Sequence, residues 1–199
     1  MVKTGQVKMK MLAKILNVVC NVVFWMAAVG FCIFLLGNIA LLFVPAKSIV
    51  INASTSGSLS ATLGGTMFFK FNPQVSGDLM IKPFLQAFFV WITVAALIMS
   101  VILFELKRIL KSVVQDNPFE KGNSKNLTII AIALIVGSLI MPLLEGRIVS
   151  AIIRVLQISS INFSYSMDCT LLFTGIIILI LAGVFQYGNY LQEEVDSTL

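Results

Sequence analysis

Four runs of about twenty residues, each free of charged side chains, dominate the 199-residue chain at 22–44, 84–104, 127–144 and 169–187. A helix needs about 20 predominantly apolar residues to cross the hydrocarbon of a bilayer, where no water is available to satisfy an open backbone. Four such runs constrain the fold more than any motif. The expected class is an all-α membrane protein: four transmembrane helices, a small extracytoplasmic β-like segment and an outer amphipathic helix. Charged residues make up 12% of the chain, about half the share found in soluble domains. The expected organisation is a single four-helix transmembrane domain over 1–199. Its outer segments are 45–83 and 145–168, and its cytoplasmic loop is 105–126. No cleaved signal peptide is expected, because the first apolar run is too long for one.

Lys and Arg fix the expected orientation. Lys3, Lys8, Lys10 and Lys14 precede the first span, and Lys107, Arg108, Lys111, Lys121 and Lys125 follow the second. Those nine of the fourteen basic residues place both termini and the 105–126 loop in the cytoplasm of a multi-pass cell-membrane protein. The first helix is expected to extend beyond the bilayer on its N-terminal side. It either projects into the cytosol or lies on anionic lipid, with Lys8, Lys10, Lys14, Asn17 and Asn21 on its wet part and Trp25 at the interface.

The segment 48–82 mixes β-branched, small polar and Gly residues, and "SIVINAS" and "TMFFKF" predict short strands joined by turns. The second outer segment carries Ile148, Ile152, Val155, Leu156 and Ile158 as an apolar helical stripe, with Arg147, Arg154 and Gln157 elsewhere.

Within the spans only uncharged polar groups occur, among them Asn38, Thr93, Ser100, Ser138, Thr174 and Gln186. Such groups more often join helices than line a pathway, so an ion-coupled transporter lacks its usual intramembrane charge. The chain has no His, the commonest general base and metal ligand. Cys20, Cys32 and Cys169 show no ligand spacing, and Cys20 and Cys32 lie too far apart on one helix for a disulfide. No catalytic, cofactor or metal site is expected, and the protein is expected not to be an enzyme. The small residues Ala133, Gly137, Gly175, Ala182 and Gly183 predict close helix approach, within one chain or across a homo-oligomer face.

One polar stretch stands apart: "QDNPFEKGNSKN", between the second and third runs. Asn117, Pro118 and Glu120 have the form of a capping box, with Pro at the first helical position. Gly122 is expected to stop that short turn, and Asn123 or Ser124 to cap the next helix. Phe119 is the turn's large apolar residue and is expected to fold back on the helix ends.

"DNPFEKGNSKNL" in this position, together with "LQEEVDSTL" after the fourth run, resembles the signature of the bacterial family catalogued as domain of unknown function 2975. The resemblance in layout covers 12–199. Its basic stretch is short here, only Lys121 and Lys125. The family has no established activity. Its members are often encoded beside small helix-turn-helix regulators, so the resemblance implies a membrane partner or sensor in a regulatory pair.

The function expected on these grounds is a non-enzymatic membrane sensor or regulatory partner of a cytoplasmic protein. Asp116, Asn117, Pro118, Phe119, Glu120 and Asn123 form the candidate docking loop. Glu193, Glu194 and Asp196 are the candidate tail contacts, placed to pair with Lys107, Arg108 and Lys111. The expected surroundings are the lipid bilayer, a cytoplasmic protein and a second copy of the chain, with no direct contact to nucleic acid. The alternatives are a protective, immunity-type protein that binds a membrane-active peptide at its outer face and, lower in rank, a transporter.

Overall fold

The computed structural model describes residues 2–56, 59–63, 67–71, 74–115, 120–156 and 168–198. Helix α1 spans Val2–Phe43, and a short 3-10 turn follows at Ala46–Ser48. Strands β1 (Val50–Ser56), β2 (Leu59–Leu63), β3 (Met67–Phe71) and β4 (Gln74–Met80) come next. Helices α2 (Lys82–Val114), α3 (Lys121–Leu156) and α4 (Cys169–Thr198) complete the described chain.

Each helix contains a stretch long and apolar enough to cross a membrane: Met11–Phe43, Lys82–Val114, Gly122–Leu156 and Cys169–Leu191. Large apolar side chains such as Leu36, Met26, Ile180 and Phe173 are more than half exposed. In water that would be a severe liability, whereas lipid accepts it. The protein is a multi-pass, all-α membrane protein with four spanning helices and a minor β segment.

Two helix ends differ from the reading of the apolar runs. α3 starts at Lys121, so Gly122 lies in its first turn and does not interrupt it. Asn123 and Ser124 are therefore not caps; their side chains are drawn into tertiary hydrogen bonds described below. At its other end α3 continues through Pro142 to Leu156. The stripe carried by Ile148, Ile152, Val155 and Leu156 is thus an extension of the third spanning helix and has no separate start. Pro142 removes one amide donor, that to the Ser138 carbonyl, and a helix packed on its neighbours tolerates this. Residues 157–167, including Ile158, lie outside the described residues.

Burial along α1 follows a heptad. Ala13, Asn17, Cys20, Phe24, Ala27, Phe31, Phe34, Asn38 and Leu41 are among the less exposed of its described positions and are separated alternately by four and three residues; Asn21, Ala28, Gly30 and Gly37 are half-buried beside them. α4 repeats the spacing with Leu171, Gly175, Ile178, Ala182, Phe185 and Asn189. A period of 3.5 residues is the seam of left-handed helix packing.

The chain divides into two compact units: one of Met1–Gly30, Ala96–Ser138 and Cys169–Leu199, the other of Phe31–Ala95 and Leu139–Asp168. In the first, α3 and α4 meet through small residues. A Cβ placed on Gly175 would lie 2.7 Å from the Ile135 side chain and 3.1 Å from the Ala131 carbonyl oxygen. Gly137 faces Leu171 and Ile98, and Ala182 is buried. These small residues are occupied by packing within the chain, except Gly183, which faces open space.

In the second unit, Asn38 Nδ2 donates to Thr93 Oγ1 at 3.1 Å, and Thr93 Oγ1 donates to the Phe89 carbonyl at 2.6 Å. Phe34 meets Phe89 edge-on, and Phe84, Phe88 and Trp91 stack along α2. Lys82 Nζ donates to the Val44 carbonyl just past the end of α1, where a cation is favoured. The Asn38–Thr93 bond lies in a medium where such bonds contribute modestly. Asn38→Val is accordingly expected to cost about 1 kcal/mol or less in a denaturant titration of the detergent-solubilised protein.

The strands form two antiparallel ladders, β1 with β4 and β2 with β3. Val50 pairs with Met80 and Leu59 with Phe71, so nine residues along the outgoing arm match nine on the return. The two ladders therefore keep one register. The expected short strands of 48–82 are present as nested hairpin arms, and Ile81 N–H donates to the Ile49 carbonyl at their base.

Candidate functional site: a polar cleft at the α2–α3 turn

The last turns of α2 and the first of α3 place polar residues at helical intervals on facing surfaces. Glu105 and Ser112 lie two turns apart on α2, and Asn123 and Asn126 one turn apart on α3. All four are buried, with Asn123 at 1% exposure and Ser112 at 2%. A buried polar group without a partner costs about 1–3 kcal/mol, and here each has one. Asn123 Nδ2 donates to Ser112 Oγ, and Ser112 Oγ donates to the Ile109 carbonyl at 2.8 Å. With its amide nitrogen turned toward the available acceptors, Asn126 donates to Glu105 Oε2 and to the Gly122 carbonyl, both at 3.1 Å. Ser124 Oγ donates to the Ala182 carbonyl of α4 at 2.9 Å. Three helices are thereby joined by side chains from a single helical turn.

Two basic residues beside this network have partners in the same unit. Arg108 pairs with Glu105 at 3.3 Å and lies 5.3 Å over the Phe104 ring. Lys107 donates to Asn21 Oδ1 of α1 at 2.7 Å and lies 5.3 Å over the Phe24 ring. Because Glu105 is buried while Arg108 is mostly exposed, the pair keeps one charge in solvent and avoids most of the desolvation of a fully buried bridge.

Above the network opens a cleft of about 280 Å³. Its exposed side is lined by Arg108, Lys111, Gln115 and Glu120, and its buried side by Ser112, Asn123 and Asn126. The side-chain donors on the buried side are committed within the network. The exposed side offers two cations, an amide and a carboxylate, a set suited to hydrogen bonding and ion pairing with a polar surface.

The predicted site residues fall as follows. Asp116, Asn117, Pro118 and Phe119 lie outside the described residues. Glu120 is exposed beside the cleft, and its carbonyl accepts from the Asn123 amide at 2.8 Å. Asn123 lies on the buried side and ties α3 to Ser112 of α2. Glu193, Glu194 and Asp196 all lie on α4, with Glu194 exposed. Lys107 and Arg108, expected opposite that tail, bond Asn21 and Glu105, and Lys111 lines the cleft. Sequence reasoning missed Glu105, Ser112 and Asn126. Their signal was available in polar residues recurring at one-turn and two-turn intervals beside an apolar run.

A family model described as Protein of unknown function (DUF2975) matches residues 73–199. That match takes in β4, α2, α3, α4 and every residue of the cleft; the first 72 residues lie outside it. No curated protein and no solved structure matches the chain.

Proposed function

Because the chain belongs to the DUF2975 family, whose function is unknown, no activity can be inherited, and we propose that it is a non-enzymatic membrane regulatory partner of a cytoplasmic protein. In this reading both termini and the α2–α3 turn face the cytoplasm of a cell-membrane protein, as the Lys and Arg distribution favours. The observation that carries the reading is the cleft beside that turn. Buried hydrogen bonds from three helices fix its inner wall, while Arg108, Lys111, Gln115 and Glu120 present charge outward. A surface held so firmly is preorganised, which lowers the entropy lost when a partner docks.

Affinity purification from native membranes in mild detergent, followed by mass spectrometry, tests the proposal. A stoichiometric cytoplasmic protein is expected with the wild-type chain. Lys111→Glu, which reverses an exposed charge without touching the buried network, is expected to reduce its recovery about tenfold while leaving membrane abundance unchanged. A chain that emerges alone under crosslinking conditions refutes the proposal.

A further inference from the structure

α2 has no charged residue between Lys82 and Glu105, and α3 none between Lys125 and Glu145. At ~1.5 Å per residue these stretches measure about 30 Å, the thickness of the hydrocarbon. Lys82, Glu145 and Arg147 therefore mark one membrane–water boundary. A second cleft, of about 460 Å³, opens at this level in the unit that holds Phe31–Ala95 and Leu139–Asp168. Its polar lining includes Arg147, Ser150, Arg154 and Gln86; its apolar lining includes Val90 and Leu144, which lie within the charge-free stretches.

Arg147, Ser150 and Arg154 recur at three and four residues, so they share one face of α3, and all three are exposed. Unlike Arg108, neither arginine forms an ion pair with another described residue. Glu145 lies two residues from Arg147 and so on another face, with Trp91 and Asp168 near its carboxylate. The arrangement combines two guanidinium forks, a hydroxyl and an amide at the boundary with an apolar wall running into the membrane. A free soluble anion would make no use of that wall. An acidic peptide would meet it only by burying its own polar backbone.

We propose that this cleft binds the phosphate headgroup of an anionic phospholipid, with the arginines taking the phosphate and the Val90–Leu144 wall taking the upper acyl chain. Guanidinium groups match phosphate oxygens in paired, charge-assisted hydrogen bonds, and a lipid delivers both chemistries at the right depth. The proposal is independent of any cytoplasmic partner, because none of the residues that carry it lines the cleft of the first unit.

The test is native mass spectrometry of the full chain released from nanodiscs of mixed phosphatidylglycerol and phosphatidylcholine. The wild-type protein is expected to retain phosphatidylglycerol preferentially. Arg147→Gln with Arg154→Gln is expected to reduce that retention about tenfold or more, and Arg154→Gln alone to reduce it by a smaller factor. Lys47→Gln, an equal charge change on an exposed residue of the same unit, is expected to leave retention unchanged. Melting temperatures of all variants are compared, and the single variant carries the test if the double variant is unstable. Unchanged retention in the arginine variants, or an equal loss in Lys47→Gln, overturns the proposal. Displacement of the lipid by glycerol phosphate in solution also overturns it, because it would show the apolar wall to be idle.

Discussion

Gly175→Ala is expected to destabilise the protein by about 1–3 kcal/mol, although alanine is intrinsically the better helix former by ~0.5–1 kcal/mol. The added methyl would meet the Ile135 side chain at 2.7 Å, the Ala131 carbonyl oxygen at 3.1 Å and the Ile135 amide nitrogen at 3.2 Å. The side chain can move, but the two backbone atoms belong to α3 and move only with the helix. α3 and α4 would have to separate, and the effect would extend to Gly137 against Leu171 and to Ser124 against the Ala182 carbonyl. Gly37 provides an internal comparison. A Cβ there also comes within 2.7 Å of a neighbour, but only of the Phe89 ring, so Gly37→Ala is expected to cost less. Gly183 faces open space, and Gly183→Ala is expected to be neutral or slightly stabilising. Denaturant unfolding in a fixed detergent, monitored by circular dichroism, ranks the three. Equal midpoints for Gly175→Ala and Gly183→Ala would show that α3 and α4 are not in close contact.

Asn126→Ala is the second large expected loss, about 1–3 kcal/mol. Asn126 supplies a neutral donor to the carboxylate of Glu105, which is 6% exposed. Without it, Arg108 at 3.3 Å is the remaining side-chain donor identified for that buried charge, and the Gly122 carbonyl in the first turn of α3 loses its amide partner as well. Glu105→Gln removes the charge, and Glu105→Gln with Asn126→Ala closes a double-mutant cycle. The double variant is expected to be less destabilised than the sum of the singles, because the penalty arises from leaving one partner behind. Strict additivity would mean that the two side chains do not interact.

The number of spanning helices and the strands of 48–82 were legible in the sequence because each rests on local composition. The helix-packing faces were not. In α1 the seam residues Asn17, Phe24, Phe34 and Asn38 are no more apolar than the lipid-facing Val22, Ile33 and Leu36. A bilayer removes the contrast that hydrophobic periodicity depends on, so the heptad appears only in the burial. The start of α3 was misplaced for a different reason. Gly122, Asn123 and Ser124 have the composition of a stop followed by a cap, but Ser112 and the Ala182 carbonyl offer those side chains partners that a single sequence window does not contain. The buried carboxylate of Glu105 was likewise concealed, since at the end of an apolar run it resembles an ordinary interfacial charge.

Lys107 donates to Asn21 of α1, and Lys82, near the other end of α2, to the Val44 carbonyl just past the end of α1. The two acceptors are separated by 23 residues, about 35 Å of helix. Along a helix that spacing matches the thickness of a bilayer core with part of its headgroup layer. In a membrane of matching thickness both lysines reach headgroups and both ties persist. In a thinner one the helix pair must tilt, or an ammonium group must exchange its tie for water; in a thicker one an ammonium group is drawn toward hydrocarbon.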